Sequence, residues 1–369
     1  MTYKETVLFI GKCLTINQEK QNRILIEKEL QKQQIDWDNV VKVSTGQFVF
    51  PALYCNLKKA DFLKYLPEDL VEYMKHIADL NRERNEQIIA EAKEINSLLL
   101  ENNITPIFLK GTGNLLEGLY EDIAERMVGD IDFIVSYTNY TKAAKILLEH
   151  KYEKVLKKDY SYPQFKHFDR LFKKDKIAAV EVHKELTLEG YHQEFNYKVI
   201  SENTINIDEI NVMNYPNQLS LSIIASQIND DGQYYKNISL RNAYDVFLLS
   251  QKTNSLKAIE SYRILFAPLN NFLAICKFAL QSDKIFYKQN KEAGEVILFF
   301  NKLLENKKFR EKNHKRLKRK LAMKKRLNFV FQAFSRKENR SWIYHRVRDK
   351  EWQNEKLIQL GIRKPKPNL

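Results

Sequence analysis

The chain has few of the residues that make turns and cross-links. Its 369 residues include only ten glycines, eight prolines and three cysteines. So few glycines and prolines leave little room for the tight turns of an all-β protein, so helices should dominate and strands should be few. Cys13, Cys55 and Cys276 are single and far apart, without the close pairing of a zinc motif or the even count of a disulfide framework. A reducing cytoplasm is the expected location.

Long uncharged hydrophobic runs are also missing. No stretch reaches about eighteen apolar residues, the length that a membrane-spanning helix needs. The N-terminal residues lead only into a short apolar run. We therefore expect a soluble, unprocessed protein. With 44% hydrophobic and 12% aromatic residues, the chain can build the core of one large or two smaller units.

The positive charge is concentrated in one segment. The formal net charge is +14, and residues 302–326 hold thirteen lysines or arginines against Glu305 and Glu311. That segment carries +11, which leaves +3 for the other 344 residues. An RNA or DNA contact, an anionic membrane surface and a solvated helix are three interpretations of such a segment. The large excess of cations favours contact with RNA or another polyanion.

Short strands are predicted in the middle of the chain. β-branched and aromatic residues form runs at 104–109 and 130–135. The first run is expected to lead into a strand, and the second is expected to form another strand. Residues 165–172 and 177–186 alternate between apolar and polar side chains. They are predicted to form a hairpin that turns at 174–176. Together these strands predict a small mixed sheet.

Helices are predicted on both sides of this sheet. Apolar residues recur at spacings of three and four before residue 103 and again after residue 215. The predicted fold is α+β, with a small mixed β-sheet core wrapped by N- and C-terminal helices. Its expected parts are a helical lead, a core, a helical domain and a basic helical extension, at 1–103, 104–214, 215–300 and 301–369. The later helices are predicted at 219–228, 240–249, 256–266, 269–279, 292–304 and 307–326.

Two acidic residues stand at the start of the strand predicted at 130–135. Asp130 and Asp132 alternate, so their carboxylates project from one face, about 7 Å apart along the backbone. Two charges this close repel unless a cation neutralises them, and oxygen ligands suit Mg²⁺, with a triphosphate completing the shell. On the later strand, Glu181 and His183 also share a face. If the strands are neighbours, Glu181 is a metal ligand or base, and His183 supports it or contacts substrate.

A glycine turn precedes these strands. Lys110-Gly111-Thr112-Gly113 is predicted to end the first strand and lead into a helix. Gly111 allows close approach of the backbone to phosphate, and the helix offers free N–H groups. Thr112 is expected to cap the helix and contact phosphate. Lys110 and Arg126 are the expected cations for the triphosphate.

The order of these motifs resembles a known family. Leu109-Lys110-Gly111, Tyr120, the run from Arg126 to Val135 and Val180-Glu181-Val182-His183 resemble the bacterial uncharacterised nucleotidyltransferase family of the DNA polymerase beta-like nucleotidyltransferase superfamily. The likeness covers most of the first 250 residues. It implies that Asp130, Asp132 and Glu181 ligate metal and that Lys110 and Gly111 contact substrate or phosphate. The chain departs from the superfamily at Thr112, where glycine or serine is usual.

The expected activity is that of a nucleotidyltransferase of EC 2.7.7 type. A nucleoside triphosphate, with ATP among the expected nucleotides, would transfer its nucleotidyl group to an unidentified acceptor with the help of two Mg²⁺ ions. One alternative is a toxin of a toxin–antitoxin pair that acts on transfer RNA. Another is a non-catalytic module of the same fold that serves binding or assembly in polysaccharide or peptide biosynthesis. The oligomeric state is left open.

Overall fold

The computed structural model describes residues 1–155, 163 and 165–359. Residues 1–155 and 165–313 form one compact unit, and residues 314–359 belong to a second. Residues 1–155 and 165–300 of the predicted helical lead, core and helical domain therefore lie in the same unit. Residues 360–369 of the predicted extension are outside the described part. The division into four parts stays a prediction.

The first part of the chain is helical, as the apolar spacing predicts. α1 begins with a capping box, in which Thr2 accepts from the Glu5 backbone and the Glu5 side chain accepts from the Thr2 backbone. α5 has 34 residues and buries one face along most of its length. The helices are α1 Tyr3–Cys13, α2 Lys20–Gln31, α3 Trp37–Gly46, α4 Phe50–Lys59 and α5 Glu68–Glu101, with a 3₁₀ turn at Leu63–Tyr65.

A seven-stranded mixed sheet forms the centre of the described chain. Its spatial order is β3-β4-β5-β2-β1-β7-β6. β2 runs parallel to β5 and β1 parallel to β7, while the other pairs are antiparallel. The predicted α+β fold with a mixed sheet is therefore confirmed. The strands are β1 Ile107–Phe108, β2 Asp130–Ile134, β3 Tyr152–Lys154, β4 Leu171–Lys173, β5 Ala179–His183, β6 Thr204–Ile207 and β7 Ile210–Met213.

Further helices connect the strands and follow the sheet. Between strands lie α6 Lys110–Glu117, a 3₁₀ turn at Ile123–Glu125, α7 Tyr140–Glu149 and α8 Tyr197–Ser201. After the sheet come α9 Tyr215–Ile224, a π-helical segment Ala225–Asn229, α10 Gly232–Tyr235, α11 Leu240–Leu249, α12 Phe266–Leu280 and α13 Lys291–Glu305. The chain continues with α14 Lys307–Ser335, α15 Lys337–Arg348 and α16 Lys350–Gln359. Within the described residues, no helix is both long and apolar enough to cross a membrane.

Several predicted boundaries are wrong. The helix predicted at 256–266 is a series of turns, and α12 begins only at Phe266. Pro268 lies in the first turn of α12, where a helix does not need the missing N–H, so the helix accommodates the proline. The hairpin predicted from 165 is shorter, because β4 begins at Leu171 and residue 167 makes only an isolated bridge to His183. All three cysteines are buried and free.

Gly113 lets α6 pack directly on β1. A Cβ atom at this position would lie 2.7 Å from the backbone oxygen of Phe108, closer than real Cβ contacts come. Gly113 also donates its N–H to the carbonyl of Leu109, so the helix cannot easily move away. The close approach holds the start of α6 against the sheet.

We expect Gly113→Ala to lower the free energy of unfolding by about 1–3 kcal/mol, since a backbone oxygen cannot give way to the added methyl group. Gly294→Ala is the matched control. Gly294 is also helical, and nothing lies within 4 Å of its added Cβ, so this change should be neutral or stabilise by up to about 1 kcal/mol. Urea denaturation of both variants measures the difference. Equal stabilities would contradict the packing argument.

Candidate functional site

The parallel pairing of β2 with β5 builds an acidic site. The register places Asp132 opposite Glu181 and Asp130 opposite Ala179. Because side chains alternate along a strand, Asp130, Asp132, Glu181 and His183 project from the same face. One ligand atom each from Asp132, Glu181 and His183 lie within 4.8 Å of one another. The neighbouring strands that the sequence required are therefore present, and the three side chains are close enough to share a metal ion.

Two cations lie directly against these carboxylates. Lys110 Nζ is 2.6 Å from Asp132 Oδ1 and 3.9 Å from Glu181 Oε2. Arg170 Nη2 is 2.8 Å from Glu181 Oε1 and 3.0 Å from Asp130 Oδ2. With the imidazoles counted as neutral, three carboxylates and two cations leave one negative charge in the site. This imbalance and the oxygen-rich ligand set fit a divalent cation.

The pKa values of the three carboxylates are shifted in different directions. Burial raises the pKa of Asp130, and the charge of Arg170 only partly opposes it. Burial acts in the same direction on Asp132, but Lys110 and His183 outweigh it and hold the pKa below its ordinary value. Burial is also outweighed at Glu181, where the hydrogen bond from His183 and the charge of Lys110 hold the pKa well below the usual range. Asp132 and Glu181 are therefore ionised at neutral pH and ready to ligate metal.

Lys110 reaches the site from a strained backbone. It is the first residue of α6, and its φ is +51°, in the left-handed region that favours glycine. A side chain in this conformation costs about 1–3 kcal/mol. Burial lowers the pKa of Lys110, but Asp132 and Glu181 outweigh burial and raise it, so the ammonium stays charged. The strain persists because the ammonium is held by two carboxylates.

The glycine turn lies where the sequence places it, but Thr112 has a different role. α6 begins at Lys110 with Leu109 as N-cap, so the predicted capping by Thr112 is wrong. Thr112 is completely buried, and its hydroxyl donates to the backbone oxygen of Asp130 at 2.9 Å. A Cβ on Gly111 would lie 2.8 Å from Val128 Cγ2, so this glycine also permits close packing. Both residues fix α6 to the start of β2.

Arg126 is engaged inside the protein. It is 6% exposed, and its guanidinium makes an ion pair with Asp245 of α11 at 2.9 Å. A second guanidinium nitrogen donates to the carbonyl of Met127, and Tyr120 donates to Asp245 at 2.7 Å. The structure thus pairs the guanidinium that the sequence assigns to a triphosphate with a carboxylate of a later helix, and these contacts do not support the phosphate role.

Arg170 and His167 also belong to the site, although the sequence did not predict them. Arg170 bridges two of the acids, and His167 Nε2 lies 4.0 Å from Glu181 Oε2, with its ring centre 5.2 Å from that of His183. Both belong to the segment predicted as the partner strand of 177–186. Strand pairing would have indicated them, because a cation beside Glu181 on the neighbouring strand compensates its charge.

Another cationic group lies beside the site, around Asp230. Burial raises the pKa of Asp230, while the charges of Lys166, Lys110 and Arg241 oppose this rise, which places these groups within electrostatic range. Arg241 packs over the ring of Phe48 at 5.1 Å, and its Nε is buried without a hydrogen-bond partner in the described part of the chain. A buried donor of this kind is costly unless a ligand or water accepts from it.

Comparison with known proteins identifies the family. The family model described as "Uncharacterised nucleotidyltransferase" matches residues 33–262, well over half of the chain. This chain belongs to the uncharacterised nucleotidyltransferase family. No curated protein and no solved structure matches it. The region matched to this nucleotidyltransferase family contains all seven described strands, the acidic site and the Arg126–Asp245 pair.

For this nucleotidyltransferase-family chain, we expect Asp245→Ala to lower the free energy of unfolding by about 3–5 kcal/mol, because Arg126 stays buried without its counterion. Glu149→Gln is the control. It breaks the exposed ion pair with Lys145 on α7 and should cost less than about 1 kcal/mol. Chemical denaturation followed by circular dichroism measures both. A similar small loss for the two variants would show that Arg126 does not depend on Asp245.

Proposed function

We propose that this family member transfers a nucleotidyl group from a nucleoside triphosphate to an acceptor hydroxyl. The observation that carries the proposal is the parallel register of β2 and β5, which sets Asp132 opposite Glu181 with Asp130 on the same face. Two adjacent strands that bring three carboxylates together gain little stability from them, because the repulsion between the negative charges must be offset. A site for cation-assisted phosphate chemistry accounts for that cost.

We assign Asp130, Asp132 and Glu181 as ligands of two Mg²⁺ ions. Carboxylate oxygens are the ligands that Mg²⁺ prefers, and substrate phosphates complete its shell. When bound, the ions stabilise the negative charge on the reacting phosphate and on the leaving pyrophosphate. His183 donates from Nε2 to Asp132 at 2.9 Å and so orients that ligand. The low pKa of Glu181 makes it a weak base and favours its role as a ligand.

The triphosphate would meet the cations around α6. Lys110 lies at the helix start, where the first backbone N–H groups have no partner within the helix, so those of Gly111 and Thr112 would bind phosphate oxygens beside the ammonium. Lys166 and Arg241 extend this positive region on the side of Asp230. The buried Nε of Arg241 would gain an acceptor when a phosphate binds. The nucleotide, ATP included, is thus held by its phosphates, which every nucleoside triphosphate shares.

The proposal leaves the acceptor open, and the identity of the acceptor would define the biological role of the transfer. An RNA end, a protein side chain or a small hydroxylated molecule can each provide the attacking oxygen. A toxin that modifies transfer RNA is one such case, and the cations of 302–326 favour a polyanionic partner, with RNA among the candidates. In the other alternative, a non-catalytic assembly module, the protein has the same fold but does not catalyse nucleotidyl transfer.

We expect wild-type protein to transfer label from an α-labelled nucleoside triphosphate to a component of cell lysate in the presence of Mg²⁺. Asp132→Asn and Glu181→Gln should each reduce transfer by about 100-fold or more, since loss of a ligand costs several kcal/mol in the transition state. Glu149→Gln is the control and should be fully active. Transfer that survives Asp132→Asn would refute the mechanism. Folded wild-type protein that labels nothing with any of the four nucleotides would favour the non-catalytic alternative.

Metal binding has a readout that is independent of activity. Mg²⁺ or Mn²⁺ should raise the Tm of the wild type, because a ligand that binds only the folded state stabilises it, by about 2.7 kcal/mol at 100 times its Kd. Asp132→Asn and Glu181→Gln should lose this response, and Glu149→Gln should keep it. Differential scanning calorimetry with and without the ion measures the shift. An equal shift in all four proteins would place the ion elsewhere.

A further inference from the structure

An exposed apolar stripe lies on α14, within the second compact unit. Its members are large hydrophobic side chains that remain half or more exposed: Met323 at 61%, Leu327 at 53%, Val330 at 50%, Phe331 at 68% and Phe334 at 81%. With about 100° between successive helical residues, all five lie within an arc of about 100°. Single exposed apolar residues are ordinary, but a continuous row on one face marks an interaction surface.

The stripe adjoins the densest positive charge of the chain. Residues 314–326 hold eight lysines or arginines and no acidic residue. Arg316, Lys318, Arg319 and Lys320 are exposed on α14 immediately before the stripe. The same helix therefore presents cations over one stretch and an apolar face over the next.

The combination of cations and an apolar stripe on one helix favours one kind of polyanion over another. RNA phosphates would neutralise the cations but would leave the five apolar side chains in water. An anionic lipid surface uses both features, because its headgroups attract lysine and arginine while its acyl boundary receives phenylalanine and leucine. The stripe is about 17 Å long, too short to span a membrane but suited to lie along one.

We propose that α14 binds the surface of an anionic membrane, with the row from Met323 to Phe334 inserted at the lipid boundary and the preceding cations on the headgroups. The proposal does not depend on the nucleotidyl transfer proposed above. It adds a site of action for whatever chemistry the first unit performs, because a chain held at a membrane meets acceptors that are attached to that membrane.

The test uses the full chain and lipid vesicles. Wild-type protein should float with vesicles of phosphatidylcholine that contain phosphatidylglycerol and not with phosphatidylcholine alone. Phe331→Ser combined with Phe334→Ser should weaken binding by about tenfold or more, because membrane affinity follows the apolar area inserted. Leu298→Ser is the matched control, since Leu298 is 72% exposed on α13 and outside the stripe. It should bind like the wild type.

A second variant tests the charge. Arg316→Gln, Lys318→Gln and Arg319→Gln together should also weaken binding to the anionic vesicles by about tenfold or more, as should an increase in salt concentration. Circular dichroism should show that every variant keeps the helical content of the wild type. The metal-dependent rise in Tm should be unchanged in all of them, which separates failure of this proposal from failure of the proposed function.

Three results would overturn the proposal. The first is equal vesicle binding by wild type and the phenylalanine double variant. The second is binding to single-stranded RNA, with a steep salt dependence, by a protein that ignores anionic vesicles. The third is a dimer, seen by light scattering and lost in the double variant, which would show that a second copy of the chain covers the stripe.

Discussion

The repulsion between three carboxylates on one sheet face is the constraint on which the rest of the first unit depends. β2 and β5 run side by side in parallel, so Asp132 and Glu181 cannot separate without breaking the sheet. Lys110, the first residue of α6, and Arg170, the residue that precedes β4, make ion pairs with these carboxylates and neutralise two of the three charges. Each cation therefore has to be positioned by the fold around it.

The helices provide that positioning through the segment before β2. Asn81 and Asn85 of α5 donate to backbone carbonyls at residues 123, 124 and 126, and so hold this segment against the long helix. Arg126 anchors the same segment to α11 through Asp245. Loss of either contact would release the start of β2 and thus move the acids. The wrapping helices are for this reason part of the site's support.

A second buried contact acts on the same segment. Burial raises the pKa of Glu125 to about 7, and Tyr244 of α11 donates to its carboxylate at 2.5 Å. Asn56 of α4 donates in turn to the hydroxyl of Tyr244. The adjacent residues Glu125 and Arg126 thus bind adjacent residues of α11. These polar contacts connect α4, α11 and the segment before β2, and they oppose sliding of that segment along α11.

Sequence periodicity predicts which side chains share a face, but not which strands are neighbours. Alternation is a property of the strand itself, so Asp130 with Asp132 and Glu181 with His183 could be paired from the sequence alone. Arg170 was missed although the predicted hairpin sets it beside Glu181, whereas its contact with Asp130 depends on the pairing of β2 with β5. Thr112 and Arg126 have internal partners in the structure that the sequence did not predict, and their predicted contact with phosphate stays a prediction. Hydroxyl and guanidinium groups that can bind phosphate can also satisfy a buried carbonyl or carboxylate, and only burial distinguishes the two uses.

Under the proposed function, the contacts of Lys110 would link the binding of a metal ion to the binding of the nucleotide. Its ammonium is 2.6 Å from Asp132 Oδ1, one of the two oxygens through which this carboxylate would ligate the proposed metal ion. A metal ion that binds through this oxygen displaces the ammonium of Lys110, because two cations repel strongly at that distance. A free metal ion that binds there has to compete with the lysine, and it leaves the displaced ammonium without this partner while the backbone of Lys110 is still strained. A triphosphate that arrives with the ion removes this disadvantage, because its oxygens accept the ammonium. Metal and nucleotide should for this reason bind more tightly together than either does alone.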